Sequence, residues 1–218
     1  EYCQLLQLDD MPLLPDHLKI TDIPKMENAE VADLMARFEP LVKHFNRYLT
    51  IGGFPELALS DDDLYAQRML REDVVDKVIK RDVLTLFKVR SPLLMEKLFL
   101  YLCMNSTEIF SATTAAKELD NISPNTIESY VDALVKSNLI YMAYPIAVGS
   151  KSVLKGRPKI YIADAAIRNA VLMVDDVLSD ERELGLLIET TVYKHLVSFY
   201  QGTGAQLGYY RKAKENQK

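Results

Sequence analysis

The sequence predicts a mainly α-helical protein of the α+β class, in which a winged helix-turn-helix follows a purely helical region. Apolar residues recur at steps of three and four over most of residues 28–136, which is the period of an amphipathic helix. Two short segments, 139–144 and 159–163, are instead rich in Ile and Tyr, as β-strands are. The chain has 218 residues, 49% of them hydrophobic and 26% charged, so it is long enough to bury a sizeable core.

The first half of the chain is predicted to consist of helices that break at proline and glycine. Three prolines divide residues 1–28 into a short helix and an irregular connector. One helix is predicted over 28–48, with a break at Pro40. A longer one is predicted over 61–88, because an acidic cluster suited to a helix N-terminus opens it. The sequence Gly-Gly-Phe-Pro at 52–55 separates the two helices.

Residues 90–163 have the element order of a winged helix-turn-helix. Ser91 is the expected cap of a core helix that is apolar on almost all sides. A short helix over 111–119 and a turn lead to a third helix, which Ser123 caps and Pro124 begins. The two predicted strands then flank a loop. The buried face of the third helix is predicted to consist of Ile127, Tyr130, Val131, Leu134 and Val135.

The loop between the two strands carries the cations expected at a nucleic-acid contact. Residues 149–159 contain four Lys or Arg residues and no acid, so they would neutralise phosphates and make binding sensitive to salt. Asn and Ser on the outer face of the third helix can read base edges, whereas Glu128 and Asp132 on that face would repel phosphate. The candidate DNA-binding residues are Lys151, Lys155, Arg157, Lys159, Asn125 and Ser129. The alternative is a winged helix that packs on a neighbouring domain, with its lysines in solvent.

Composition narrows the class of protein and its setting. The net charge is −5 and the pI is near 5.3, which argues against a protein coated in nucleic acid but not against one local contact. No apolar run approaches the roughly 20 residues that span a bilayer, and the acidic start is unlike a signal peptide. Cys3 and Cys103 belong to no pairing motif, so a reducing, cytoplasmic setting is expected. Because no initiator Met is present, we expect residue 1 to lie inside a longer protein.

The sequence contains no complete catalytic site, and no catalytic residue is assigned. Gly149-Ser150-Lys151-Ser152 approaches the end of a P-loop, but the first glycine of that pattern falls on Tyr144 and no helix follows. The three histidines are scattered, no His and Cys residues have zinc spacing, and a serine-hydrolase elbow is absent. The chain alone is therefore not expected to hydrolyse ATP or to hold a cofactor.

Glu189 is the one acid that the sequence singles out. It lies on a predicted helix, 184–200, among apolar neighbours. A carboxylate in that position is either bonded within an interface or a ligand for a divalent cation, and one acid does not make a metal site.

Six separated segments together resemble a known family. They are YLTIGGFPELAL (48–59), VVDKVIKRDVL (74–84), SPNTIESYVDALVKSNLIY (123–141), KIYIADAAIRNAVL (159–172), GLLIETTVYKHL (185–196) and GYYR (208–211). In this order they resemble the C-terminal two-thirds of a large prokaryotic family of P-loop ATPases of the AAA+ superfamily.

The resemblance implies four regions. Residues 1–28 would be the tail of the ATPase core and a connector, 29–89 a helical lid, 90–174 the winged helix-turn-helix, and 175–218 the truncated start of a restriction-endonuclease-like domain. ATP and Mg would be bound by the full-length protein, through a core expected before residue 1. Glu189 would help hold a divalent metal only together with an Asp and a Glu-x-Lys pair expected beyond residue 218.

Three functions remain open from the sequence. The chain is an accessory region of a P-loop ATPase whose winged helix binds DNA, or a protein-interaction or self-association module without nucleic-acid binding, or part of a metal-dependent nuclease. None of them requires a membrane.

Overall fold

The structure, a computed structural model, describes residues 2–9, 11–15, 18, 21–87, 89–146, 156–174, 176–200 and 202–210, with backbone only at 75 and 76. Helices make up most of these residues, and the sheet within them has three short strands. The predicted mainly α fold with a small β component is therefore confirmed. None of the described helices is both long enough and apolar enough to cross a lipid bilayer.

The first half of the described chain consists of helices joined by turns and irregular segments. The helix that follows Asp62 is continuous to residue 86, and its middle part has π-helical hydrogen bonding over Glu72–Val83. Short 3₁₀ turns cover Ile23–Lys25 and Glu39–Leu41, and the second contains Pro40 as predicted. The helices are α1 (Tyr2–Leu5), α2 (Asn28–Phe38), α3 (Val42–Ile51), α4 (Pro55–Ala58), α5 (Asp63–Arg71) and α6 (Leu84–Leu86).

The second half has the predicted order of helices and strands. Ser91 accepts a hydrogen bond from the Leu94 amide and caps its helix as expected. Ser123 lies at the N-cap position of the third helix, but its side chain makes no capping bond. The elements are α7 (Pro92–Met104), α8 (Ala112–Glu118), α9 (Pro124–Lys136), β1 (Ile140–Pro145), β2 (Lys159–Ile162), α10 (Ala165–Leu172), α11 (Glu181–Tyr200) and β3 (Gly208–Tyr209).

The sheet has the strand order β2-β1-β3. Strands β1 and β2 form the antiparallel hairpin of the wing, with Ile140 opposite Ile162 and Ala143 opposite Lys159. A bridge between Ile109 and Lys159 adds the segment before α8 to the other edge of β2. Three helices, this bridge and the hairpin are the arrangement of a winged helix-turn-helix. Strand β3 then pairs in parallel with β1, so the C-terminal part of the described chain joins the wing sheet.

One hydrophobic core continues from the helices of the first half into the winged helix. Ile51, Leu70, Phe99, Ile127 and Ile162 belong to the same buried cluster. Helix α10 lies at its centre and packs against α3, α5 and α7. The predicted division between residues 89 and 90 therefore does not separate two cores.

Candidate functional site

The predicted faces of the third helix are correct. Ile127, Tyr130, Val131 and Leu134 of α9 are buried and Val135 is half-buried. On the opposite face, Asn125, Glu128, Ser129, Asp132 and Lys136 are exposed. Two of the six candidate DNA contacts, Asn125 and Ser129, are thus free to meet a ligand.

The wing places its two described cations differently. Arg157 is exposed, and no ion pair to it is found within the described ranges. Lys159 faces inward, and its ammonium lies 2.9 Å from Oε1 of Glu189 on α11. Lys151 and Lys155 fall outside the described residues. Of the described wing cations, only Arg157 is therefore not committed to an acid of the same chain.

The predicted metal ligand, Glu189, takes part in the joint between the wing and α11. Its Oε1 accepts a second hydrogen bond, of 2.8 Å, from the hydroxyl of Tyr161 on β2. The ring of Tyr161 stacks on Tyr193 of α11, with centroids 4.1 Å apart and planes 13° apart. Burial, and then the hydrogen bond and charge of Glu189, raise the pKa of the Tyr161 hydroxyl, so Tyr161 is a neutral donor at physiological pH.

Glu189 does not belong to a metal site within the described residues. No three His, Cys, Asp or Glu side chains among them lie close enough to share a metal ion. Oε1 of Glu189 is already paired with an ammonium and a hydroxyl. Among the described residues, Glu189 is therefore a hydrogen-bond and ion-pair acceptor of the joint between the wing and α11.

A groove of about 860 Å³ separates α9 from the wing and α11. Glu128 and Asp132 line it from α9, Tyr141 from β1 and Tyr193 from α11, and Arg157 lines it from the residues before β2. Lys136 neutralises Asp132 at 2.6 Å, whereas no ion pair to Glu128 is found in the part of the chain that the structure describes. On the α9 side of the groove, Glu128 is therefore an acid without a described counter-charge, which opposes contact with phosphate.

Asp164 connects three helices. Its Oδ1 caps α10 by accepting a 2.9 Å bond from the Ala166 amide, and its Oδ2 forms an ion pair with Lys194 of α11. The same ammonium donates a 3.0 Å bond to the hydroxyl of Tyr48 on α3. The side chain of Asp164 is 5% exposed and that of Lys194 is 25% exposed. Burial alone would lower the pKa of Lys194, but the charge and hydrogen bonds of Asp164 and the Tyr48 hydroxyl outweigh it, and the pKa is raised.

The end of α3 is fixed on α10 by a second set of bonds. The amide of Asn169, which is completely buried, donates to the carbonyls of Leu49 and Thr50 at 2.9 and 3.3 Å. Gly52 then turns the chain at φ +78°, and a Cβ there would lie 3.0 Å from both Asp164 Oδ1 and the Cβ of Ala166. The Gly-Gly-Phe-Pro turn is thus a close contact with α10 as well as a helix stop.

A buried arginine ties α10 to α7 and α11. Arg168 donates from Nε to the Cys103 carbonyl at 3.0 Å and from NH1 to Glu183 at 2.7 Å. The bond between Asp164 and Lys194 was not predicted from the sequence, because the two residues lie 30 positions apart. The signal that points to this joint is that Tyr48, Asp164 and Lys194 each lie in one of the six family-like segments.

The described fold is that of a mainly α protein. The joints at α10 and α11 attach its winged helix-turn-helix to the helices of the first half. Residues 42–178 match a family described as a domain of unknown function, DUF8612. The match covers more than half of the chain, so the chain belongs to this family.

Two curated proteins of the archaeon Methanocaldococcus jannaschii are similar to the chain. Uncharacterized protein MJ1544 is 24% identical over 185 residues, which is 82% of this chain and 40% of the relative. Uncharacterized protein MJ1637 is 30% identical over 172 residues, which is 78% of this chain and 35% of the relative. The chain thus spans between a third and two fifths of the length of these relatives. No solved structure matches it.

Proposed function

We propose that this chain is an accessory region of a larger P-loop ATPase of the AAA+ type, and that it works as one mechanical unit. The helices of 29–89 would receive the movement that ATP turnover produces, and the winged helix would move with them. The joint of Asp164, Lys194 and Tyr48 carries this proposal, because it links the end of α3, the start of α10 and the middle of α11 through a mostly buried ion pair.

A joint of this kind resists hinge motion for a physical reason. Separating α3 or α11 from α10 would leave the Asp164 carboxylate buried without its cation, and a broken buried pair is costly. The continuous core and the Asn169 bonds act in the same direction. Relatives of roughly twice the length of this chain leave room for a motor outside it, which is consistent with an accessory role.

The test uses the full-length protein that carries this chain. We expect it to bind and hydrolyse ATP, and we expect Lys194→Met to change the turnover rate or its response to a ligand of the winged helix while nucleotide affinity is kept. Lys117→Met, which changes an exposed lysine on α8, is the matched control. A full-length protein without affinity for ATP would refute the proposal.

The winged helix is proposed to contact DNA through Arg157, Asn125 and Ser129, with the sequence-predicted Lys151 and Lys155. Lys159 contributes less, since Glu189 holds its ammonium. Titration of labelled duplex DNA at about 50 and about 200 mM salt should show affinity that falls with salt. Replacing Arg157 and Lys151 by Gln should weaken binding and flatten that dependence, whereas Lys43→Gln, on α3, should not. Unchanged binding in the Gln variant would remove the wing from the interface.

A protein-docking role is the second candidate, and the acids on the α9 side of the groove favour it. Glu128 and Asp132 lie where a recognition helix would meet DNA. Under this alternative the titration shows no DNA binding at either salt concentration.

A further inference from the structure

Strand β3 bonds to both sides of the wing hairpin. Ile146 and Arg157 lie on the two stems of the wing, the described segments that precede and follow residues 147–155. β3 pairs in parallel with the last two residues of β1, and the Ile146 amide donates a 2.8 Å bond to the Tyr209 carbonyl. The Tyr209 hydroxyl reaches the other stem and donates a 2.8 Å bond to the Arg157 carbonyl. One residue of β3 therefore holds both stems.

The pairing of β3 with β1 leaves no space for a side chain at residue 208. A Cβ added to Gly208 would lie 2.2 Å from the carbonyl oxygen of Tyr144 and 2.7 Å from Cγ1 of Ile146. A glycine in a strand commonly marks such a close approach of two backbones. Any larger residue would push β3 away from β1, so a change at Gly208 can be used to detach the strand.

The bond from Tyr209 holds the backbone of a candidate DNA contact and leaves its side chain free. The carbonyl of Arg157 accepts from Tyr209, whereas its guanidinium is exposed and forms no ion pair with the described residues. Lys159, the other described cation of the wing, is instead paired with Glu189. A contact residue whose backbone is already held loses less conformational freedom when it binds. Arg157 is thus the wing cation that gains most from this support.

Strand β3 is itself carried by α11, which is fixed at two other points. Glu189 of α11 pairs with Lys159 of the wing, and Lys194 pairs with Asp164 at the start of α10. Residues 201–207 connect the end of α11 to β3. A short connector keeps β3 at a high effective concentration beside the wing, which allows a strand of two residues to pair.

From these contacts we infer that Tyr209 is a positioning residue for the DNA contact of the wing, and that it acts through Arg157. Its hydroxyl sets where the Arg157 backbone lies relative to β1, so the guanidinium projects from a fixed point of the hairpin. Helix α11 and β3 therefore belong to the same recognition unit as the winged helix. The inference rests on the proposed DNA contact and adds a residue outside the winged helix-turn-helix that this contact requires.

The experiment titrates labelled duplex DNA with the full-length protein and with Tyr209→Phe, which removes only the hydroxyl. We expect the affinity to fall about three- to tenfold, as the loss of one hydrogen bond predicts. Tyr210→Phe is the matched control, because Tyr210 is the next residue, is 80% exposed and has no hydrogen bond within the described part of the chain.

A second variant detaches the whole strand. Gly208→Ala should weaken DNA binding at least as much as Tyr209→Phe, because it removes the main-chain pairing as well. Hydrogen exchange of the peptide that contains Ile146 should become faster in this variant, since the Ile146 amide loses its acceptor. Gly185→Ala, whose added carbon meets nothing within 4 Å, should change neither measurement.

A double-mutant cycle separates positioning from a general loss of structure. In an Arg157→Gln background, at about 50 mM salt, Tyr209→Phe should change the affinity by less than about twofold, because the side chain that it positions is absent. An equal loss in both backgrounds would overturn the inference. Equal affinities of Tyr209→Phe, Tyr210→Phe and the parent would also overturn it, while the DNA contact itself would stand. A parent without affinity for duplex DNA would instead overturn the proposed contact, and this inference with it.

Discussion

The ammonium of Lys159 on β2 lies 2.9 Å from Oε1 of Glu189 on α11, and the Tyr161 hydroxyl donates to the same oxygen at 2.8 Å. A cation of the wing and an acid of α11 thus form an ion pair within the chain. Together with the Tyr161–Tyr193 stack, they fasten the wing hairpin to α11.

Removing the shared acceptor should weaken this joint measurably. Glu189→Ala should lower the free energy of unfolding by about 1 kcal/mol, because it leaves a partly buried hydroxyl unpaired and breaks a half-exposed ion pair. Glu189→Gln keeps an acceptor for Tyr161, so its free energy of unfolding should fall by about half as much. Chemical denaturation measures both, with Glu181→Gln, on the exposed first turn of α11, as the control. Equal stability of all three variants and the parent would contradict a structural role for Glu189.

The Asp164–Lys194 pair should contribute more, because it is better buried. Lys194→Met should lower the free energy of unfolding by about 2 kcal/mol. It leaves the Asp164 carboxylate, whose side chain is 5% exposed, without its cation. Adding Asp164→Asn should recover part of this loss, as Asn removes the charge and can still cap α10. A double variant no more stable than Lys194→Met alone would show that the two side chains do not act as a pair.

Alkaline pH should destabilise the fold through two groups whose pKa values are raised. Tyr161 and Lys194 keep their protons in the folded state to a higher pH than in the unfolded chain. Above pH 10 the unfolded chain therefore binds fewer protons than the native state, and stability falls as pH rises. Unfolding measured between pH 8 and about 11 should show a shallower fall for Tyr161→Phe than for the parent. Parallel curves would show that Tyr161 ionises equally in both states.

Two substitutions can separate the effect of backbone strain from the effect of close contact at the Gly52 turn. Gly52→Ala should cost about 2 kcal/mol or more, because a Cβ meets Asp164 and Ala166 at 3.0 Å in a backbone conformation at φ +78°. Gly204→Ala has a similar φ, +76°, with nothing within 4 Å of the added carbon, and should cost only about 1 kcal/mol. Thermal unfolding compares them, and equal losses would assign the whole effect to backbone strain.

The two cysteines should differ in reactivity. Burial raises the pKa of the Cys103 thiol, and its side chain is fully inaccessible. Cys3 is partly exposed and should react first with a thiol-specific dye, whereas Cys103 should react at the rate of unfolding. Rapid modification of two thiols per folded chain would mean that the α7 core opens readily.

Sequence periodicity predicted most of the helices and both strands of the wing hairpin. The outer and inner faces of α9 follow directly from apolar residues at steps of three and four, and Ser91 and Asp164 cap helices as their types predict. The π-helical stretch Glu72–Val83 was not predictable, because its apolar pattern is compatible with an ordinary α-helix. The missing side-chain bond at Ser123 likewise depends on a rotamer, which composition does not determine.

The sequence by itself determined that this chain is mainly helical, that a wing hairpin follows three helices, and which residues of each helix are apolar. These are local properties, set within one or two turns of helix or one strand. Only the tertiary structure decided that Lys159 meets Glu189, that Lys194 joins Asp164 to Tyr48, and that no residue of α2 is buried. Those relations connect residues 30 or more positions apart, or require knowing what packs nearby, so no local periodicity encodes them.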